Sequence, residues 1–201
     1  MPRSVQAAFA ALVVASSLGC SEVGGSPAPD AALAPFARAA LPVDVQHPTF
    51  VDFGGKVQLV GYDVSPEGMA RPGETVKLRM YWKRTGTLQP GFRLFTHLDD
   101  ELGAQIRNFD QVGDFRGALA GGKSGLSALE LGKVYVDEQT VEVPKGAEVT
   151  PRVTLVVGVW KDDVRLPVVS GSTNGHHAAV VSSFSTGVVR RRTVPAAPPR
   201  P

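Results

Sequence analysis

Apolar and polar residues alternate along most of the middle of this 201-residue sequence. In the clearest run, residues 76–83, the order is Val, Lys, Leu, Arg, Met, Tyr, Trp and Lys. Because successive side chains of a strand point to opposite faces, this order predicts a strand with one buried face. Residues 153–160 are apolar at nearly every position, which is typical of a central strand covered on both sides.

The same reasoning predicts about eight strands, separated by turns rich in Gly, Pro and Asp. They cover residues 57–62, 76–82, 92–98, 104–109, 133–143, 153–160, 166–169 and 179–184. We expect no helix after the first twenty residues, apart from one short helical turn at 125–131. Short strands at this spacing predict an all-β fold, an antiparallel immunoglobulin-like β-sandwich of about seven to nine strands over residues 49–187.

The amino terminus has the pattern of a secretory signal peptide over residues 1–19. Arg3 precedes an apolar run of about 14 residues, which is too short to span a bilayer as a helix. Cys20 directly follows Gly19 at the end of this run, and the arrangement resembles the lipobox of bacterial lipoproteins. The resemblance implies that the Cys20 thiol is acylated and anchors the protein in membrane lipid, and Ser21 implies sorting to the outer membrane. The alternative is an ordinary signal peptide cleaved near a cysteine.

Two segments that flank the predicted sandwich are rich in proline. Residues 20–48 predict a flexible tether between the anchor and the domain. Residues 188–201 predict a disordered, basic, Pro-rich tail that contains four arginines. The whole chain has a net charge of +2, but the part that remains without this tail is mildly acidic.

Several short motifs resemble a β-sandwich module that is often appended to the extracytoplasmic ends of bacterial membrane glycosyltransferases. They lie within residues 56–169, at 60–63, 71–74, 81–82, 94–99, 104–105, 134–138, 157–160 and 165–168. The resemblance implies a sandwich fold and an exported location. It implies no catalytic residue, because the module has no established activity.

Composition excludes several classes of function. The single cysteine excludes an internal disulfide framework and any site with several cysteine ligands. The low net charge argues against a nucleic-acid partner. Residues 117–124 match the nucleotide-binding pattern G-x-x-x-x-G-K-[ST], but they follow no buried strand and open no predicted helix, so we expect no nucleotide partner and no cofactor.

Four side chains are the candidates for ligand binding. His97 and Asp99 lie on the same face of a predicted strand end, and Tyr81 and Trp160 are aromatic residues that could stack on a sugar ring. We assign no catalytic residue. We also assign no metal site, because His176 and His177 are neighbours that would point to opposite faces of a strand and would not bind one ion together.

These observations predict a lipid-anchored, non-catalytic binding or interaction module of the cell envelope, with a glycan or an envelope protein as its ligand. One alternative is a hydrolase of envelope polymers that uses His97 and nearby carboxylates. Another is a structural accessory of a membrane complex.

Overall fold

The computed structural model describes residues 31–146 and 149–189. The predicted signal peptide, Cys20 and most of the predicted tail lie outside these residues. Within them, eleven strands, one α-helix and two short 3₁₀ helices are present. The strands are β1 (Ala37–Arg38), β2 (His47–Phe53), β3 (Val57–Ser65), β4 (Thr75–Arg84), β5 (Arg93–Asp99), β6 (Gln105–Asn108), β7 (Val134–Glu142), β8 (Arg152–Lys161), β9 (Val164–Arg165), β10 (Val168–Ser170) and β11 (Ala179–Ser185). The helix α1 covers Asp114–Gly121, and the 3₁₀ helices cover Ala34–Phe36 and Gly125–Ala128.

The strands form two antiparallel sheets. One sheet has the order β1-β7-β4-β3-β2-β10, and the other has the order β11-β8-β5-β6, with β9 also paired to β8. The prediction of an all-β antiparallel sandwich is confirmed. Each of the eight predicted strands corresponds to an observed one, and β1, β2 and β9 are additional. No helix in the described part of the chain is long and apolar enough to cross a membrane.

The inward faces of both sheets supply the core. On β4 the apolar residues of the alternating run point inward, and Trp82 is fully buried with its ring 5.9 Å from that of Phe53. On β8 the inward residues include Val153, Val157 and Val159, none of which is exposed. Burying such side chains contributes about 1.5–3 kcal/mol each.

The residues between 33 and 48 differ from the predicted tether, because several of them pack against the sandwich. Leu33 is 2% exposed and belongs to the main core, and β1 pairs with β7 at the edge of the six-stranded sheet. Val45 is buried against the same sheet, and a Cβ atom at Gly61 would lie only 2.8 Å from its Cγ1 atom. The Ala- and Pro-rich composition predicted a linker, although a few apolar residues of this segment cover the sheet.

Helix α1 is also a departure from the prediction. Its buried residues are Phe115, Arg116 and Leu119, which share one side of the helix. Gly117 and Gly121 lower its intrinsic helix propensity, which explains why the pattern did not indicate a helix. The nucleotide-binding pattern at 117–124 therefore begins inside a helix, whereas a phosphate-binding loop of that type precedes one.

Candidate functional site

The outer face of the five-stranded sheet carries most of the predicted site residues. Leu94 and Leu98 of β5 point into the core, so Phe95, His97 and Asp99 point outward. Phe95 pairs in register with Gly158 of β8, and a Cβ atom at Gly158 would lie 2.5 Å from the Phe95 ring. The absence of a side chain at this position lets the Phe95 ring lie against the backbone of β8.

Arg165 covers the outward-facing side of Phe95. Its guanidinium carbon lies 4.5 Å from the ring centroid, within the range of a cation–π interaction. Its Nη1 atom also donates a hydrogen bond to the carbonyl oxygen of His176 at 3.2 Å. The guanidinium is therefore held in place over the aromatic ring.

His97 and Asp110 form a close pair beside Phe95. The distance from His97 Nε2 to Asp110 Oδ1 is 3.2 Å, and the two side chains are 9% and 15% exposed. Asp110 also accepts hydrogen bonds from the Thr96 amide at 2.9 Å and the Asn108 side-chain amide at 3.1 Å. Burial acts to raise the pKa of Asp110, but the hydrogen bonds from His97 and the Thr96 amide outweigh it, and the net pKa is lowered.

A cavity of about 250 Å³ opens over this pair. It is lined by Phe95, His97, Asn108, Asp110, Trp160, Asp162, Asp163 and Arg165. A second depression of about 250 Å³ shares Trp160 and Asp162 with the first and adds Gly91, Arg93 and Lys161. Trp160 is partly exposed and borders both depressions, with polar and charged side chains around it.

Asp99 lies on the same face as His97, one outward position farther along β5. It is 7% exposed and is not part of the cavity lining. Burial raises the pKa of the Asp99 carboxyl, although His97 and Arg165 act in the opposite direction. Of the four predicted residues, the structure thus brings His97 and Trp160 together and leaves Asp99 at the margin.

Tyr81 does not have the exposure that its polar-face position suggested. It is 3% exposed and lies in a cluster with Val134 and Val136, under Leu41 and Val45. Its hydroxyl donates a hydrogen bond to Asp63 Oδ2 at 2.9 Å. The ring is therefore unavailable for stacking on a ligand.

A polar network inside the sandwich supports the cavity from behind. Arg116 of α1 and Asp137 of β7 are 4% and 0% exposed, and Arg116 Nε donates to Asp137 Oδ2 at 2.8 Å. Arg116 Nη2 also donates to Thr96 Oγ1 at 2.9 Å. Burial raises the pKa of Asp137, although Arg116 opposes the shift.

Gln139 of β7 extends this network to the chain next to Asp110. Its side-chain amide nitrogen donates to the carbonyl oxygens of Phe109 at 3.1 Å and Val112 at 2.7 Å. Sequence reasoning did not identify this network. The available signal was the position of Asp137 and Gln139 on the face of β7 that also carries Tyr135 and Val141, which are core residues.

A wider groove of about 640 Å³ follows the outer face of the other sheet, but its central charges pair with one another. Arg79 Nε lies 2.6 Å from Glu138 Oε1, and Arg79 Nη1 lies 3.8 Å from Asp63 Oδ2. The described residues contain no group of three or more His, Cys, Asp or Glu side chains that could hold a metal ion. The cavity beside Trp160 is therefore the best-formed candidate site.

Comparison with known proteins adds no relative to this picture. No family model matches the chain, and no curated protein matches its sequence.

Proposed function

We propose that this protein is a lipid-anchored, non-catalytic module of the bacterial cell envelope that binds a glycan in the cavity beside Trp160. The observation that carries the proposal is the partly exposed Trp160 ring between two depressions lined by hydrogen-bonding side chains. Sugars present apolar C–H faces and a rim of hydroxyl groups, so a site of this kind complements both features.

The shape of the site favours a glycan over a protein surface as the ligand. The cavity is small and concave, and six of its eight lining residues are polar or charged. A protein partner would instead be expected to meet a broader face with a central apolar patch. The envelope location rests on the signal-peptide pattern and the resemblance of Cys20 to a lipobox cysteine.

A second candidate function is hydrolysis of an envelope polymer. It is favoured by the His97–Asp110 pair, because enzymes orient a general base through a carboxylate on the far ring nitrogen. The cavity lining contains no Ser, Thr or Cys, so an Asp carboxylate or a water molecule would have to be the nucleophile. This candidate predicts new reducing ends when the protein is incubated with a glycan, whereas binding alone predicts none.

Binding to an array of envelope oligosaccharides tests the proposal, with the Trp160→Ala variant compared with wild type. We expect at least one oligosaccharide to bind to wild type and to lose most of its affinity for the variant. Phe50→Ala is a matched control, because Phe50 is 53% exposed and lies on the other sheet. Equal binding by wild type and Trp160→Ala, or no binding by wild type, would contradict the glycan proposal.

The membrane anchor is tested separately by labelling with palmitate in the native host. We expect wild type to incorporate the label and Cys20→Ala to incorporate none. An unlabelled wild-type protein would contradict the anchor without affecting the glycan proposal.

A further inference from the structure

The two nitrogens of the His97 ring have different surroundings. Nε2 lies 3.2 Å from Asp110 Oδ1 and 3.4 Å from the amide nitrogen of Asn108, which itself donates to Asp110 Oδ2. With the Thr96 amide, three nitrogen atoms surround this one carboxylate. Among the described residues, the hydrogen-bond and ion-pair contacts of the His97 ring are all at Nε2, and none is at Nδ1. His97 lines the cavity.

The surroundings of Asp110 decide which ring nitrogen carries the proton. An ionised carboxylate can only accept hydrogen bonds, and the N–H groups of Thr96 and Asn108 that donate to Asp110 favour its ionised form. Nε2 must therefore donate to it. A neutral imidazole has a single N–H group, so Nδ1 is left as an acceptor.

We infer that His97 Nδ1 is the acceptor through which this cavity recognises a hydroxyl group of its ligand, and that Asp110, Gln139 and Arg116 are positioning residues that hold the ring for this task. The inference rests on the proposed function, since it names the chemistry by which the same cavity selects its glycan.

The positioning begins in the interior of the sandwich. Gln139 holds the carbonyl oxygens of Phe109 and Val112, which flank Asp110 along the chain. The Phe109 amide donates to the Thr96 carbonyl oxygen at 2.8 Å, and Arg116 holds the Thr96 hydroxyl. The backbone on both sides of Asp110 is therefore fixed from the core, which keeps its carboxylate in register with Nε2.

The ligand class follows from the balance of donors and acceptors in the cavity. Asp110, Asp162 and Asp163 present carboxylate oxygens, and His97 Nδ1 adds another acceptor. The guanidinium of Arg165 is already stacked on Phe95 and bonded to His176. A ligand that donates hydrogen bonds fits this lining, so we expect a sugar with free hydroxyl groups rather than an acidic or fully O-substituted sugar.

The state of the His97 ring is tested without any ligand by ¹⁵N NMR of the histidine-labelled full chain at pH 9. We expect the Nε2-protonated tautomer in wild type and a mixture of tautomers in Asp110→Ala, which has no side-chain acceptor. Gln139→Leu is expected to shift the balance in the same direction. Asp162→Asn is the control, since Asp162 lines the cavity without a hydrogen bond to His97, and it is expected to leave the spectrum unchanged. A wild-type ring protonated at Nδ1, or an unchanged tautomer in Asp110→Ala, would overturn the inference and leave the glycan proposal intact.

The recognition step is tested with the oligosaccharide that wild type binds and with its O-methylated derivatives. We expect His97→Gln to weaken binding about tenfold, the usual effect of one lost hydrogen bond. His97→Asn is expected to recover part of the affinity, because its side-chain oxygen can replace Nδ1. Methylation of one hydroxyl should weaken wild type about tenfold and His97→Gln hardly at all. Undiminished binding by His97→Gln, or equal sensitivity of both proteins to methylation, would overturn the assignment.

Discussion

The outer faces of the two sheets have similar sequence patterns but differ in how much of their surface the rest of the chain covers. Each carries an aromatic residue that points away from the core, Tyr81 on β4 and Trp160 on β8. The chain between residues 33 and 48 covers Tyr81, and its hydroxyl is bonded to Asp63. Trp160 stays partly exposed between two depressions. The difference shows that an outward-pointing aromatic ring is accessible to a ligand only where no other part of the chain covers it.

The charged groups of the two faces differ in the same sense. On the covered side, Arg79 is paired with Glu138 and lies near Asp63. On the open side, Asp162 and Asp163 have no ion-pair partner among the described residues, and Asp110 holds an imidazole in the cavity wall. The central charges of the first face are thus paired within the chain, whereas Asp162 and Asp163 of the second face are left exposed to solvent.

The largest effect on stability is expected in the polar network behind the open face. Arg116→Met leaves Asp137 buried without its partner, so we expect unfolding to become easier by about 3–5 kcal/mol in a denaturant titration. The double variant Arg116→Met with Asp137→Leu should recover much of this loss, because no buried charge remains. Lys133→Met is the control, since its pair with Glu130 is exposed and should matter little. A stable single variant would show that the open face does not depend on this network.

The covered face is broken most directly at Gly61. A valine there would place carbon atoms against Val45 and Leu41, so we expect a loss of about 1–3 kcal/mol and increased solvent exposure of Tyr81. Tyrosine fluorescence quenching and thermal unfolding measure the two effects. Gly117→Ala is the matched control, because a Cβ atom at that helical position meets nothing within 4 Å and should raise stability slightly. If Gly61→Val left Tyr81 buried and the protein equally stable, the covering contact would be of little importance.

A smaller change on the covered face is expected for Tyr81→Phe. It removes the hydrogen bond to Asp63 and keeps the ring, so stability should fall by about 1 kcal/mol. Tyr62→Phe serves for comparison, as Tyr62 is only partly buried and stacks on His47 through its ring. Equal stability of Tyr81→Phe and wild type would contradict a structural role for this hydroxyl.

The smallest effects are expected from the pH dependence of the two carboxylates on the open face. The lowered pKa of Asp110 means that its ionised form stabilises the fold above the unfolded-state pKa, and this contribution is lost as pH falls through the lower folded-state value. The effect of Asp99 on stability is the opposite. Burial raises its pKa, so its ionised form destabilises the fold at neutral pH. Asp110→Asn should therefore destabilise the protein at pH 7 and Asp99→Asn should stabilise it slightly, with both differences shrinking towards pH 3. Unfolding curves across this range measure them, and effects of the same sign in both variants would contradict the assignment.

The sequence predicted the strands well where each residue's neighbours along the chain carry the signal. It missed β2, because His47-Pro48 and the proline-rich segment before it are typical of a linker. It missed α1, because Gly117 and Gly121 interrupt a helix whose stability comes from burying Phe115 and Leu119. The sequence identified two residues of the candidate site, His97 and Trp160, by residue type and position. It did not identify Asp110, because Asp110 follows β6 and contacts β5 only in the folded chain.

By itself, the alternation of side chains determined the fold class, the two-sided burial of β8 and which residues of each strand point outward. These properties depend on the period of a strand and on the transfer of apolar side chains out of water, and both are readable from neighbouring positions. Only the tertiary structure decided that Tyr81 is covered, that Trp160 is not, and that Arg116 and Gln139 reach across the core to the chain around Asp110. The physical reason is that coverage and hydrogen-bond partners join residues far apart in the chain, and no local period records which segment returns to which face.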